Sequence, residues 1–165
     1  MSKQKRFIED SFPIKEVSEE GAKEKKVRRG NLAHLHIWWA RRPLATSRAT
    51  NYASLIPSAK NEMERQTTRN FISELADWYN SGDHLLFDKA RKQILNANKG
   101  IPPKVLDPFG GGGSIPLEAL RLGCDVYSND YNPVAVFVQK CSLEYPAKYG
   151  KNISRKEYYK KRLWL

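Results

Sequence analysis

The residues with the clearest chemical potential are two acids that flank a run of glycines. Asp107 ends the apolar segment KVLD, glycines 110–113 follow in LDPFGGGGSIPLEA, and Asp130 lies 23 positions after Asp107. Four successive glycines weaken any helix or strand, so they indicate a sharp turn or a close approach of the backbone to a ligand. The dinucleotide pattern G-x-G-x-x-G fails because its third position falls on Ile115 or Pro116. The phosphate-loop pattern fails because no lysine follows the last glycine.

An acid at this distance from a glycine loop is well placed to accept hydrogen bonds from both hydroxyl groups of a ribose. A carboxylate at Asp107, in place of a phosphate cradle, favours a nucleoside that carries a positive or zwitterionic group over a pyrophosphate. S-adenosylmethionine is a ligand of this kind, so Asp107 and Asp130 favour it as the cofactor. The alternative is structural: a glycine-rich turn between a strand and a helix, with Asp107 as a cap.

The pattern of apolar residues predicts a helical first hundred residues followed by a parallel α/β unit. Helices are expected from about Ser18 to Gly30, from Pro43 to Ile56, in NFISELADWYN and in HLLFDKARKQILNA. The pattern then changes to a strand KVLD, a helix SIPLEALRLG, a strand CDVYSND and a helix NPVAVFVQKCSLE capped by Asn132. This order is typical of the beginning of a parallel sheet. The helical faces expected to be buried are Ala45, Ala49, Tyr52, Ala53 and Ile56, then Phe71, Ile72, Leu75 and Trp78, then Leu86, Ala90 and Ile94.

The charge distribution indicates a nucleic-acid partner. The formal net charge is +11; residues 1–50 hold 12 Lys/Arg against 6 Asp/Glu, residues 51–144 hold 10 against 11, and residues 145–165 hold 7 against 1. Basic ends of this kind attract phosphate backbones or anionic surfaces. Cys124 and Cys141 lack metal-ligand spacing, and no apolar run reaches the roughly 20 residues that span a bilayer. We therefore expect a cytoplasmic protein of one folded domain, with no membrane association.

The glycine segment resembles the cofactor motif of amino-group methyltransferases. DPFGGGGS, followed by LEALRLGCDVYSNDYNP, is similar to their DPF, variable residue, G-S-G-T motif with an acid and N-P one strand later. Glycines stand where G-S-G is usual, and Ser114 stands for Thr. The resemblance implies that S-adenosylmethionine lies against Asp107, Pro108, Phe109, Gly110, Gly111 and Gly112, that Asp130 binds its ribose, and that Tyr131 and Asn132 flank its adenine.

The first half of the chain resembles a narrower group. Residues 6–56, including HIWWARRPLATSRA, are similar to the start of large adenine-specific DNA methylases with an N-terminal domain of unknown function and often a zinc ribbon farther on. The segment WWARRP resembles one that leads a helix packed against the methionine end of the cofactor. This implies that Trp38, Trp39, Arg41, Arg42 and Pro43 lie at the site. The alternative is that one tryptophan is core and the arginines are solvated.

No metal site is expected, because His34 and His36 do not share a helical face and no third ligand accompanies them. The D/N-P-P-Y/F tetrapeptide, which in this superfamily receives the target amine, is not found. Two strands are fewer than the five or more of a doubly wound domain. We therefore expect α/β architecture, with a helical region 1–100, the beginning of an incomplete Rossmann-like methyltransferase sheet at 101–146, and a basic tail at 147–165.

The resulting functional hypothesis is the cofactor-binding portion of a DNA adenine methyltransferase, inactive alone, with DNA and a second chain that supplies the remaining sheet as partners. The alternatives are an RNA (tRNA) methyltransferase fragment and a non-catalytic nucleic-acid-binding remnant with a vestigial cofactor pocket. In the remnant, the basic ends and the aromatic tail residues Tyr158, Tyr159 and Trp164 would bind nucleic-acid strands. A structural interaction subunit that binds only a partner protein is a further alternative.

Overall fold

A computed structural model describes residues 5–27 and 36–150 of the protein. Gly30, the expected end of the first helix, lies outside these ranges, as do His34 and the tail residues Tyr158, Tyr159 and Trp164. Within them the fold is mixed α/β, mostly helical, with one small parallel sheet. The helices and strands are α1 (Ile14–Glu24), α2 (Leu44–Leu55), α3 (Glu62–Ala76), α4 (His84–Ala97), β1 (Lys104–Asp107), α5 (Ser114–Arg121), β2 (Asp125–Ser128), α6 (Pro133–Gln139) and α7 (Tyr145–Tyr149).

The small-residue face of α2 is buried as the sequence predicts. Ala45, Ala49 and Ala53 recur every four residues, and each is completely buried. Alanines at this spacing let neighbouring helices approach closely, and α2 accordingly packs against α1, α3 and α5. The predicted apolar face of α4 is also confirmed, because Leu86, Ala90 and Ile94 all lie in the core.

Three helix boundaries differ from the expectation. The first helix begins at Ile14 and ends at Glu24, earlier than predicted at both ends, because it follows Pro13 and carries Val17 into the core. Pro43 precedes α2 as its N-cap and does not enter the first turn. Trp78 lies beyond α3, which ends at Ala76 where the backbone becomes extended.

The last helical segment is interrupted. Asn132 caps α6 by accepting a hydrogen bond from the Val134 backbone N–H at 2.9 Å, as predicted. The α-helix then changes to one π-helical segment, Lys140–Glu144, before α7 begins. The predicted single helix in NPVAVFVQKCSLE is therefore two different helical conformations in succession.

The sheet has one covered face and one open face. β1 and β2 pair in parallel, with Val105 opposite Val126 and Leu106 opposite Tyr127. The two valines pack against the helical core, whereas Leu106 is 69% exposed and Tyr127 is 55% exposed. Parallel sheets are normally covered on both faces, whereas the described residues cover this one on a single face.

A single apolar core extends from the N-terminal segment to the end of α5. It joins Phe7 and residues of α1 to α5 with Leu122 and Cys124. The N-terminal segment is held at the end of α2, where the Phe7 N–H donates to the Ile56 carbonyl at 3.1 Å. The helices therefore form the base on which β1, α5 and β2 rest.

Candidate ligand-binding cleft

The glycine loop lies at the carboxyl ends of the two strands. The Gly110 N–H donates to the Asn129 carbonyl at 2.9 Å, so the loop is attached to the segment that follows β2. Gly111 and Gly113 have φ values of 51° and 80°, in the left-handed region that favours glycine. The loop then passes directly into the N-terminus of α5. Backbone strain would therefore follow from a side chain at either of these two positions.

The other reason for the glycines is close approach. A Cβ atom at Gly110 would lie 2.3 Å from Oγ of Ser128, and one at Gly111 would lie 2.8 Å from Nε1 of Trp38. A Cβ at Gly112 would lie 3.0 Å from the guanidinium of Arg41. The chain itself therefore fills the space beside the loop, from β2 on one side and from the segment before α2 on the other.

Both predicted acids hold the loop in place. Oδ1 of Asp107 accepts a hydrogen bond from the Phe109 N–H at 3.1 Å. Oδ2 of Asp130 accepts from the Gly111 N–H at 2.8 Å, and Oδ1 accepts from the Asn132 N–H at 2.8 Å. The structural alternative for Asp107, a cap within the turn, is therefore present in the fold. It leaves the second carboxylate oxygen of Asp107 free of any hydrogen bond given by the described residues.

A cleft of about 230 Å³ opens between the loop and the segment before α2. Its first wall is the end of β1, the glycine loop and the start of α5, and its second wall is the segment from Trp38 to Arg42. The lining residues are Trp38, Ala40, Arg41, Arg42, Asp107, Phe109, Gly110, Gly111, Gly112, Ser114 and Ile115. The cleft thus combines one acid with two arginines.

Within the part of the chain that the structure describes, three polar atoms of the cleft are buried and have no hydrogen-bond partner. These are Nε and Nη1 of Arg41 and Oγ of Ser114, whose residue is 4% exposed. The remaining Nη2 of Arg41 donates to the His36 carbonyl at 3.4 Å. Burial lowers the pKa of the Arg41 guanidinium, while the negative charge of Glu24 acts in the opposite direction. Buried donors are normally satisfied, so these atoms mark a place for an acceptor.

The structure brings some of the predicted site residues into the cleft and leaves others outside it. Asp107, Phe109, Gly110, Gly111, Gly112 and Arg42 line it, as do Trp38 and Arg41. The remainder do not: Pro108, Trp39, Pro43, Asp130, Tyr131 and Asn132. Trp39 is 97% exposed and Tyr131 is 100% exposed.

Ser114, Ala40 and Ile115 line the cleft although the sequence pattern did not single them out as site residues. The signal for Ser114 was its position directly after the glycines, where the first helical residue faces whatever the loop encloses. Ala40 and Ile115 carry no such signal.

Sequence comparisons connect the chain to methyltransferases. Residues 11–77 match a family described as "Protein of unknown function (DUF1156)". The chain is also 29% identical over 90 residues to the Type II methyltransferase M.MvaI of Kocuria varians. That match covers 52% of this chain and 20% of the relative, so the chain spans about one fifth of the length of the curated relative it matches. No solved structure matches the chain significantly.

Two further findings concern the described residues. None of their helices has the length and apolar character needed to cross a bilayer. Across residues 5–27 and 36–150, no three His, Cys, Asp or Glu side chains are grouped closely enough to hold a metal ion.

Proposed function

We propose that the protein is the S-adenosylmethionine-binding portion of a DNA methyltransferase that acts on the exocyclic amine of adenine. The observation that carries the proposal is the set of unpartnered donors, on Arg41 and Ser114, in a cleft that also contains Asp107. An acid on one wall and a guanidinium on the other complement an α-amino acid, whose ammonium and carboxylate carry opposite charges. The similarity to a Type II methyltransferase supports the same class of ligand.

The size of the cleft limits which part of the cofactor it accepts. Its 230 Å³ is below the roughly 300–1,000 Å³ of most small-molecule pockets, so it suits the amino-acid end alone. In this proposal Arg41 and Ser114 bind the carboxylate and Asp107 binds the ammonium group. Asp130 binds the ribose and Tyr131 stacks on the adenine, both outside the cleft.

S-adenosylmethionine, when bound, supplies an electrophilic methyl group. In this proposal the residues of the cleft bind and orient the donor. Residues 101–146 would then be the beginning of a Rossmann-like domain, residues 1–100 its helical N-terminal region, and 147–165 a basic tail. We assign this activity to the cytoplasm, with DNA as the substrate.

The open face of the sheet supports the proposal that additional strands or helices cover it. Leu106 and Tyr127 form adjacent apolar positions on that face, and Val134 and Phe137 of α6 are also exposed. A two-stranded sheet is marginal alone, and exposed apolar surface of this kind favours association. We propose that further strands and helices, from a second chain, complete the sheet and supply the target-base pocket.

The test is calorimetric titration of the full chain with S-adenosylhomocysteine and with methylthioadenosine, which lacks the amino-acid end. Arg41→Ala should weaken S-adenosylhomocysteine binding by about 10–100-fold, since a hydrogen bond to a charged group contributes about 1.5–3 kcal/mol. It should leave methylthioadenosine binding unchanged. Arg65→Ala, which replaces a partly exposed arginine of α3 remote in sequence from the cleft, is the matched control.

Equal loss of both ligands in Arg41→Ala would contradict the assignment of the cleft to the amino-acid end. A folded wild-type chain that binds neither ligand would refute cofactor binding by this chain. Salt-sensitive DNA binding without any effect of cofactor would then favour a nucleic-acid-binding remnant.

A further inference from the structure

One buried ion pair joins the two helices that carry the walls of the cleft. Nε of Arg48 lies 2.8 Å from Oε2 of Glu118, and both side chains are fully buried. Arg48 is the fifth residue of α2, which follows the Trp38–Arg42 wall, and Glu118 is the fifth residue of α5, which follows the glycine loop. The pair therefore lies about one helical turn below both walls.

The surroundings hold each partner in one orientation. Nη1 of Arg48 donates to the Leu75 carbonyl at 2.8 Å, and its guanidinium lies over the Phe87 ring at 5.1 Å from the centroid. The other oxygen of Glu118 accepts from Nη1 of Arg121 at 2.8 Å. Each charge is thus fixed by groups from α3, α4 and α5, and neither is free to rotate away.

A second contact fixes the same helices at the cleft itself. Nδ2 of Asn51, one turn beyond Arg48 on α2, donates to the Ile115 carbonyl at 3.0 Å. Ile115 lines the cleft. Two contacts along α2 therefore set both the separation and the register of α5, and through α5 the position of the glycine loop.

We infer that Arg48 and Glu118 are positioning residues that set the width of the cleft between Arg41 and Gly112. The inference deepens the proposed function, because a cleft of the correct width is what allows the Arg41 guanidinium and the α5 N-terminus to contact one ligand group together. A buried ion pair is weak evidence for stability, since apolar replacements of similar volume are often tolerated, but it can specify register.

The test compares Arg48→Met/Glu118→Leu with the control Arg65→Met/Glu62→Leu, which removes an exposed ion pair from α3. Removing both buried charges avoids leaving one of them unpaired. The first readout needs no ligand: the amide resonances of Gly111 and Gly112 and the indole N–H resonance of Trp38 should shift in the buried double variant and not in the control. Unshifted resonances would overturn the inference.

The second readout is the dissociation constant for S-adenosylhomocysteine, which should rise at least tenfold in the buried double variant. A folded double variant with wild-type affinity would overturn the inference, because a purely structural pair would change the melting temperature alone. If the resonances shift but the wild-type chain does not bind S-adenosylhomocysteine, the positioning role is supported and the proposed function is refuted. If the double variant does not fold, Glu118→Gln, which keeps the shape of the side chain, is measured in the same way.

Discussion

Replacing Gly110 with alanine would force a methyl group into the contact between the glycine loop and β2. The new Cβ would lie 2.3 Å from Oγ of Ser128 and 2.8 Å from Nε2 of Gln139, whereas ordinary contacts are 3.4–4 Å. Both side chains must move away. In the wild-type chain these side chains form two consecutive hydrogen bonds. Oγ of Ser128 donates to Oε1 of Gln139 at 2.6 Å, and Nε2 of Gln139 donates to the Gly111 carbonyl at 3.2 Å.

The expected cost follows from these two hydrogen bonds. If Ser128 and Gln139 rotate to relieve the clash, both bonds are lost, at about 1 kcal/mol each. For a chain of this size about 1 kcal/mol corresponds to about 2–4 °C, so Gly110→Ala should lower the melting temperature by about 4–8 °C. Less complete rotation would add the cost of overpacking, about 1–3 kcal/mol.

The assay is thermal unfolding followed by circular dichroism, with Gly82→Ala as the control. A Cβ at Gly82 would meet nothing within 4 Å, so that variant should melt close to wild type. In a Ser128→Ala background one of the two bonds is already absent, and Gly110→Ala should cost about half as much. If Gly110→Ala melted like Gly82→Ala, the close approach described for the loop would be refuted.

Three further predictions concern the core, a cap and the cysteines. Ile72→Ala should lower the free energy of unfolding in urea by about 2–5 kcal/mol, because Ile72 is completely buried; a smaller loss would contradict that burial. Asn132→Ala should cost about 1 kcal/mol in the same assay by removing the cap of α6, and an unchanged midpoint would argue against the cap. Burial, aided by the charge of Asp125, raises the pKa of Cys124 to about 11, so Ellman's reagent at pH 8 should label the exposed Cys141 and reach Cys124 only in denaturant. Because folding raises this pKa, the stabilisation it provides is complete below the ordinary thiol pKa of about 8.5 and is lost as the pH rises towards 11.

The sequence predicts the local elements correctly where proline and glycine residues bound them. β1 coincides with KVLD because Pro102 and Pro103 precede it and the glycine loop follows it. The sequence also predicts Asn132 as a cap, since Pro133 follows it and fixes the first turn of α6. The sequence does not predict the start of α1, because the helix is mostly polar and Val17 is its one buried valine.

The walls of the cleft could not be assembled from spacing alone. Trp38 and Gly111 are far apart in sequence, and only the packing of α2 against α5 brings them together. The resemblance to DNA methylases implies that Trp38 and Arg41 lie near a cofactor. The number of residues between Trp38 and Gly111 gives no information on the distance between them in the fold. The pairing of Arg48 with Glu118 had no sequence signal, because charged residues on a helix are usually solvated.

The covered face of the sheet has a consequence for the order of folding during synthesis. Helices α1 to α4 are made before β1 and already share most of the core, so they can associate through contacts that mainly join helices adjacent in chain order. Val105 and Val126 then pack against helices that have already associated, so the two strands do not have to pair before they contact the helices. Refolding kinetics should therefore give a φ-value near zero for Val126→Ala and a higher one for Ala49→Gly. In this order of folding, the helical region forms first and the strands that follow it in the sequence pack onto its surface.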